Sequence, residues 1–157
     1  MTRIRKRARV SIPSLRDVIR PHSTYGELRR LADGMGLDVW SRTLPMGICG
    51  YYCDVDKAIV IDREQTYRLK RCAIVHELVH WSHRDGACGW LCENKAEYRT
   101  RRETAGLLID EHEYATAETM YDADARLIAN ELDVTLRTVE DYRNLVLSRQ
   151  CDRSRAL

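Results

Sequence analysis

The sequence predicts a small α+β domain that is mostly helical, with a short β-sheet preceding the helix that carries its main chemical motif. The prediction rests on the order of local patterns: one helical segment, short β-prone runs that end at residue 62, and helical patterns from residue 65 onward. The 157 residues, 44% of them hydrophobic, suit a single globular domain with its own core.

The charge pattern of the first 13 residues predicts that they form a disordered basic arm outside this domain. They contain no acidic residue, and their basic residues are Arg3, Arg5, Lys6, Arg7 and Arg9. A run of like charges is usually a solvated arm. The alternative is a weak contact with nucleic acid, because basic arms release counterions from phosphate groups. Residues 149–157 have the character of a flexible tail, so the domain is expected at residues 14–148.

Helical signals begin soon after the arm. Residues 14–19 predict one short helical turn. Thr24 and Glu27 have the spacing of a capping box, which begins a helix. This helix should end near Gly34 and Gly36, because glycine is favoured where a helix stops.

Three short runs in the next part of the chain are typical of strands. Residues 37–40 alternate as a half-buried strand does. Residues 48–53 and 57–62 are two further candidates, and the second contains the most β-prone run in the chain. The Asp-Val-Asp segment at 54–56 can turn between them, so a hairpin is predicted.

Helical patterns fill most of the remaining chain. One long helix is predicted at residues 65–83 and another at residues 91–110. Two shorter helices are expected at about residues 121–132 and 136–148, on either side of an Asp-Val-Thr turn at 133–135.

The helix predicted at residues 65–83 carries the strongest chemical signal, a His-Glu-Leu-Val-His motif. His76 and His80 are four residues apart, so both imidazoles lie on one face of a helix and can bind one ion. Neutral imidazoles suit Zn²⁺, and a catalytic zinc keeps one position open for water. Glu77 is placed to take a proton from that water as a general base. These residues predict a metallohydrolase; the alternative is a buried helix whose histidines are only hydrogen-bonded.

A zinc site of this kind needs a third protein ligand. Glu93, Glu97 and Glu103 all lie on the next predicted helix, and their spacing alone does not decide among them. His83 is a further candidate, but a third ligand so close to His80 on the same helix is awkward.

The two motif helices together resemble the ImmA/IrrE family of metallopeptidases. The resemblance rests on three runs: Ala-Ile-Val-His-Glu-Leu-Val-His at 73–80, Glu-Tyr-Arg-Thr at 97–100, and Thr-Ala-Gly-Leu-Leu-Ile at 104–109. In that family the second helix carries a ligand glutamate ahead of a small-residue pair and a Leu-Leu run, which implies that Glu97 is the third ligand here. Thr100 stands where the family usually has alanine, and Glu103 where it has an aromatic or apolar residue.

The resemblance also implies a fold and a substrate class. It implies a zincin-like domain and a zinc peptidase that cuts one regulatory protein, typically a helix-turn-helix repressor, at one site. The strand predicted at residues 57–62 would form one wall of the cleft, and an extended peptide would pair along its edge.

Residues 125–142 fit a second function. Their helix, three-residue turn and helix have the spacing of a helix-turn-helix, which places its second helix in a DNA groove. That helix offers Arg137 and Arg143, but also Glu140 and Asp141, which oppose binding to phosphate. The other interpretation is that these helices close the core beneath the metal site. The rival to the enzyme is therefore a regulatory DNA-binding or protein-binding module that keeps a zinc site without cleavage.

The six cysteines are expected to be mostly reduced. No apolar run reaches the length of a signal peptide core or of the roughly 20 residues that span a bilayer, so a cytoplasmic location is expected and no membrane contact. Two pairs have a spacing that allows a second, structural zinc or a disulfide, although ordinary thiols are the simpler interpretation; the pairs are Cys49 with Cys53 and Cys88 with Cys92.

Three other side chains are weaker candidates for the site. Cys72 lies one turn before His76 on the same helical face, where it either lines the metal site or packs in the core. His112 and Tyr114 follow the second motif helix, and either could donate a hydrogen bond to an oxyanion at the scissile carbonyl. The alternative for both is a polar loop residue without that role.

Overall fold

The structure is a computed structural model that describes residues 14–85 and 94–148. Seven α-helices occur in these ranges: α1 Leu15–Val18, α2 Tyr25–Gly34, α3 Tyr67–His83, α4 Asn94–Leu108, α5 Glu111–Met120, α6 Ala125–Glu131 and α7 Leu136–Asp141, the last continuing into a π-helical segment at Tyr142–Leu147. The strands are β1 Asp38–Arg42, β2 Gly50–Cys53 and β3 Ala58–Asp62. Helices combined with one small sheet confirm the predicted α+β class.

Four features predicted from the sequence lie outside the described residues. They are the basic arm at 1–13, the tail at 149–157, the ligand candidate Glu93 and the Cys88 and Cys92 pair. Among the described residues, no helix has both the length and the apolar character that crossing a bilayer requires.

The sheet has the strand order β1-β3-β2. Strand β3 pairs in parallel with β1 and antiparallel with β2, so the predicted hairpin of β2 and β3 is confirmed. All five residues of β3 are buried because strands flank it on both sides. The expectation that a peptide could pair along the strand at 57–62 is therefore wrong, since that strand has no free edge. Strand β2 is an edge strand instead.

Helix α2 begins and ends where its sequence predicts. The Thr24 side chain accepts a hydrogen bond from the Glu27 backbone N–H, and the Glu27 carboxylate accepts one from the Thr24 backbone N–H. This capping box satisfies two amide groups that the first turn would otherwise leave without partners. Leu28 and Ala32 are buried and pack this helix into the common core.

Helix α3 is the central element of the fold. Thr66 caps its N-terminus, and Arg84 ends it in the left-handed conformation at φ 55°. Every residue from Arg71 to His80 is buried except His76, because α3 packs against both β2 and β3 as well as against α2 and α4. The motif helix is thus fixed on nearly all sides and leaves one side open.

Helices α4 and α5 replace one predicted helix and an unassigned segment. The helix expected at residues 91–110 ends at Leu108, since Asp110 caps a new helix. The Asp110 side chain accepts hydrogen bonds from the backbone N–H groups of His112 and Glu113. Helix α5 was not predicted. Its N-cap directly follows the apolar run at residues 107–109, which falls within the helix predicted at residues 91–110.

The last two predicted helices have the expected order but different bounds. The helix expected at residues 121–132 begins only at Ala125, because Asp124 caps it and the two residues before the cap have positive φ angles. The helix predicted at 136–148 runs over that whole range, but its second half is π-helical. Tyr142 of that half packs on the ring of Tyr114 in α5, with centroids 4.8 Å apart.

Candidate metal centre

Three side chains predicted as ligands lie together in the structure. The Nε2 atoms of His76 and His80 are 3.2 Å apart, and Oε2 of Glu97 lies 3.4 Å from each of them. Donor atoms bound at about 2.05 Å to one tetrahedral ion would be about 3.3–3.4 Å apart. The triangle formed by these three atoms therefore has the size that a tetrahedral ion requires. His76, His80 and Glu97 together could hold a metal ion.

The two helices determine this arrangement. His76 and His80 are one turn apart on α3, and Glu97 lies in the first turn of α4, which packs against α3. The side chain of His80 is only 8% exposed, while those of His76 and Glu97 are 24% and 38% exposed. One side of the triangle is thus buried against protein, and the other side faces a cleft.

The electrostatics of the triangle favour positive charge. Hydrogen bonding to His76 and then to His80 holds the pKa of the Glu97 carboxyl well below its usual range. Burial opposes the protonated form of His80, but Glu97, Glu77 and Asp85 outweigh it and raise the pKa of this imidazole. Three carboxylates around the imidazoles create a field that would equally attract a divalent cation.

Glu77 lines the same cleft but is not part of the triangle. Its side chain is buried, and burial raises the pKa of the carboxyl, an effect that His76 and His80 oppose. The backbone N–H of Tyr52 in β2 donates a hydrogen bond to it. Glu77 is therefore held between the motif helix and the edge of the sheet, with a proton affinity above that of an ordinary carboxylate.

The outer edge of β2, away from β3, faces this carboxylate. Asp62 N–H donates to the Cys49 carbonyl, so this pair is hydrogen-bonded across the two strands. Because such pairs alternate in an antiparallel ladder, the backbone groups of Gly50 and Tyr52 point away from β3. A Cβ atom at Gly50 would lie 2.9 Å from the Val60 carbonyl oxygen, so only glycine fits here without moving the strands.

A carboxylate that the sequence did not indicate supports His80. Oδ2 of Asp85 lies 3.0 Å from Nδ1 of His80, and Nη2 of Arg99 lies 2.7 Å from both oxygens of Asp85. Burial raises the pKa of Asp85, but hydrogen bonds with Arg99 and then His80 outweigh it and lower that pKa. Thr100 adds a hydroxyl 3.4 Å from the same Nδ1 atom. A proton held on Nδ1 leaves Nε2 free for a metal.

Two weaker ligand candidates pair with each other. Nε2 of His83 lies 2.7 Å from Oε2 of Glu103, and neither side chain belongs to the triangle. This pair ties the end of α3 to α4 one to two turns beyond the ligands. Of the glutamates within the described residues, the structure thus brings Glu97 to the histidines and not Glu103.

The candidates for oxyanion stabilisation lie elsewhere. The Tyr114 hydroxyl donates to Glu118 and accepts a hydrogen bond from Arg143. His112 lies in the first turn of α5, and neither of these two candidates lines the cleft. The suggestion that either donates to a scissile carbonyl is therefore wrong for this arrangement.

The cysteines within the described residues form no disulfide. Cys49, Cys53 and Cys72 are all present as thiols, and Sγ of Cys53 donates a hydrogen bond of 3.4 Å to Oδ2 of Asp56. Cys49 and the buried Cys72 both line the cleft, and Cys72 also belongs to the hydrophobic core. Burial raises the pKa of the Cys49 thiol, which keeps it protonated and unreactive.

The cleft over the triangle has a volume of about 520 Å³. Its walls are β2 with the residues before it, α3, α4 and α7. Helix α7 contributes Thr138 and Asp141, and Asp141 accepts a hydrogen bond of 3.0 Å from Nε of Arg101 in α4. The inner face of the helix-turn-helix-like segment thus forms one wall of the cleft over the three candidate ligands.

Comparison with known proteins adds no relative to this picture. No family model, no curated protein and no solved structure matches the chain. The function therefore has to be argued from the site and from the motif resemblance alone.

Proposed function

We propose that this protein is a zinc-dependent metallo-endopeptidase with a zincin-like site, which cleaves a regulatory, repressor-like protein. The observation that carries the proposal is the triangle of His76, His80 and Glu97, with Glu77 beside it in one cleft. Structural ion sites close all four positions with protein ligands, whereas this one has three ligands within residues 14–85 and 94–148 and opens to a cleft.

Zinc is the ion that this donor set fits best. Two imidazoles and one carboxylate match the three protein ligands of known catalytic zinc sites. Asp85 behind His80 adds the carboxylate–histidine support that such ligands usually have. Mg²⁺ and Ca²⁺ prefer sets composed of oxygen atoms, so the two histidines argue against them.

The chemistry proposed for the chain's own residues is a proton transfer by Glu77. A zinc ion held in the triangle would supply Lewis acidity, which polarises a carbonyl group and makes water more acidic. Glu77 accepts a proton from the attacking water as the new C–O bond forms. It then gives this proton to the amide nitrogen as the C–N bond breaks. Its raised pKa suits both steps, because a base works best when its pKa is near the operating pH.

The β2 edge gives the substrate a place to bind. The backbone N–H and C=O groups of Gly50 point away from β3 and can pair with an extended peptide. Tyr52 N–H already holds Glu77, so a peptide on this edge lies beside the base. Pairing through the main chain needs no chain terminus, which supports an endopeptidase.

The rival function is a DNA-binding or protein-binding module without cleavage. In a helix-turn-helix, the second helix presents its residues to a groove in DNA. Here Thr138 and Asp141 of α7 face the cleft, and Asp141 is ion-paired with Arg101. This use of α7 supports the enzyme. The repressor-like substrate and a cytoplasmic location are proposed on the motif resemblance.

The test is co-expression with the repressor-like product of a neighbouring gene. Wild-type protein should yield one discrete cleavage product, and Glu77→Gln should yield none while it still binds zinc. The exposed Glu64 offers a matched control, and Glu64→Gln should cleave like the wild type. Equal cleavage by Glu77→Gln would remove Glu77 from the mechanism, and a zinc-loaded wild type that cuts no candidate repressor would count against this substrate class.

A further inference from the structure

Among the described residues, the charges that line the cleft over the three candidate ligands are balanced in pairs, with one exception. Asp141 is paired with Arg101 across α7 and α4. Asp85 is paired with Arg99, with 2.7 Å between Nη2 and each carboxylate oxygen. Each of these pairs is neutral and leaves no charge for a ligand.

The triangle and the base would also be neutral together once an ion is bound. Glu97 and Glu77 carry two negative charges when ionised, and a divalent cation carries two positive charges. The two histidines must be uncharged to bind a metal. The metal centre thus gives the cleft no excess charge of either sign.

Arg137 is the exception. It lies in the first turn of α7, is exposed, and lines the same cleft. It forms no ion pair within residues 14–85 and 94–148, although Glu140 is close to it along α7. Cys49, which directly precedes β2, lines the same cleft, and the charge of Arg137 opposes the rise that burial causes in the pKa of that thiol. Arg137 therefore brings a positive charge from α7 to the cleft.

We infer that Arg137 binds a carboxylate group of the substrate, and that the cleft selects an acidic side chain near the scissile bond. This inference rests on the proposed function and specifies its substrate. A guanidinium group and a carboxylate form the strongest kind of polar pair in proteins, so a partner is expected when a ligand covers Arg137. Leu69, Cys72 and Ala73 line the same cleft on α3, one to two turns before His76 along the helix. The substrate would therefore present apolar atoms to α3 and an acid to α7.

The same carboxylate chemistry has two sources, an aspartate or glutamate side chain and the C-terminus of a peptide. The endopeptidase geometry favours the side chain, because the β2 edge accepts a chain that continues past the site. Peptides that carry a hydroxamate group at their N-terminal end provide the probe, since a hydroxamate binds a catalytic zinc and is not cleaved. A matched set would place Asp, Asn or Lys at each position beside the hydroxamate, with the C-terminus amidated or free.

The experiment measures dissociation constants of these hydroxamates for four zinc-loaded proteins: wild type, Arg137→Gln, Arg137→Glu and Arg126→Gln. Arg126 is the matched control, because it is an exposed arginine on the adjacent α6 that does not line the cleft. At one of the varied positions, wild type and Arg126→Gln should bind the amidated compound with Asp about tenfold more tightly than the amidated compound with Asn. Arg137→Gln should lose this preference, and Arg137→Glu should prefer Lys.

The outcomes separate this inference from the proposed function. Equal binding of Asp and Asn compounds by the wild type, or a preference that survives Arg137→Gln, overturns the role of Arg137 while the zinc site stands. If binding becomes tighter only when the C-terminus is free, side-chain selection is overturned and the carboxylate that Arg137 binds is the end of a peptide. If the acid preference appears but no peptide is ever cut, the inference holds and the peptidase function fails. If no hydroxamate binds the zinc-loaded protein, both fail.

Discussion

Oδ2 of Asp85 lies 3.0 Å from Nδ1 of His80, and this carboxylate is in turn held by Arg99. Asp85, two residues beyond the end of α3, is thereby joined to the first turns of α4, which carry both Arg99 and Glu97. The orientation of one ligand and the position of another thus depend on the same ion pair. The candidate metal centre therefore depends on two helices and on the contact between them.

Asp85→Asn should weaken zinc binding roughly tenfold to a hundredfold, the usual effect of removing a carboxylate behind a ligand histidine. An amide holds the His80 ring less firmly and leaves Arg99 without its partner. Competition with a chromophoric chelator measures the affinity. Asp33→Asn, at an exposed position on α2, is the control and should bind zinc like the wild type. An unchanged affinity in Asp85→Asn would show that the contact does not position the ligand.

The choice of the third ligand gives a second prediction. Glu97→Ala should lose stoichiometric zinc, whereas Glu103→Ala should keep about one zinc per chain, because only the first removes a corner of the triangle. Zinc content after dialysis measures both, and thermal unfolding with and without added zinc supports it, since a bound ion stabilises the folded state. The reverse order of the two variants would move the third ligand to Glu103 and contradict the triangle.

The residues of the triangle differ in how far the sequence could predict them. The spacing of His76 and His80 is local, so helical periodicity is enough to place both imidazoles on one side of α3. Glu97 lies on another helix, and only the motif resemblance separated it from other glutamates. The pairing of Asp85 with Arg99 could not be predicted, because it depends on how α3 meets α4 and not on a spacing within either helix.

The fold shows the same division between local and long-range information. The capping box of α2 and the hairpin of β2 and β3 were predictable from neighbouring residues. The parallel pairing of β1 with β3 was not, since it joins strands separated by β2 in the chain. That pairing moves β3 to the centre of the sheet and leaves β2, the strand proposed to bind the peptide, at the edge beside Glu77.

The stability of the domain should depend on pH through Asp62, at the end of β3. Its side chain accepts hydrogen bonds from the Gln65 side chain and from the backbone N–H groups of Leu44 and Glu64. The Gln65 hydrogen bond, followed by the two backbone ones, keeps the pKa of Asp62 below its usual value although burial opposes this. A carboxyl with a lowered folded-state pKa stabilises above its unfolded pKa of about 3.9, and this contribution is lost as the pH falls through the folded pKa.

Asp62→Asn should therefore lower the free energy of unfolding at pH 7, and the difference from the wild type should shrink below about pH 4. Urea unfolding at pH 7, 5 and 3.5 measures this difference. Asp33→Asn should show no difference at any of these values, because its exposed side chain forms no hydrogen bond within the described residues. If the free energies of unfolding of Asp62→Asn and wild type differ by the same amount at every pH, the ionised carboxylate is not what stabilises the turn before α3.

The glycine of the β2 edge gives the last prediction. A Cβ at position 50 would lie 2.8 Å from Cδ1 of Ile61 and 2.9 Å from the Val60 carbonyl oxygen, so the strands must separate to admit it. Gly50→Ala should lower the free energy of unfolding by about 1–3 kcal/mol, as other overpacked substitutions do. It should also weaken hydroxamate binding, since the displaced edge carries the backbone groups proposed to pair with a substrate.

Gly34→Ala is the matched control for this change. A Cβ at that position in α2 meets no atom within 4 Å, and alanine is favoured over glycine in a helix by up to about 1 kcal/mol. This variant should unfold at the same or a higher urea concentration and bind hydroxamates normally. If Gly50→Ala loses stability but keeps full hydroxamate affinity, the close packing of β2 on β3 is required for folding alone. The substrate would then have to be held by another wall of the cleft.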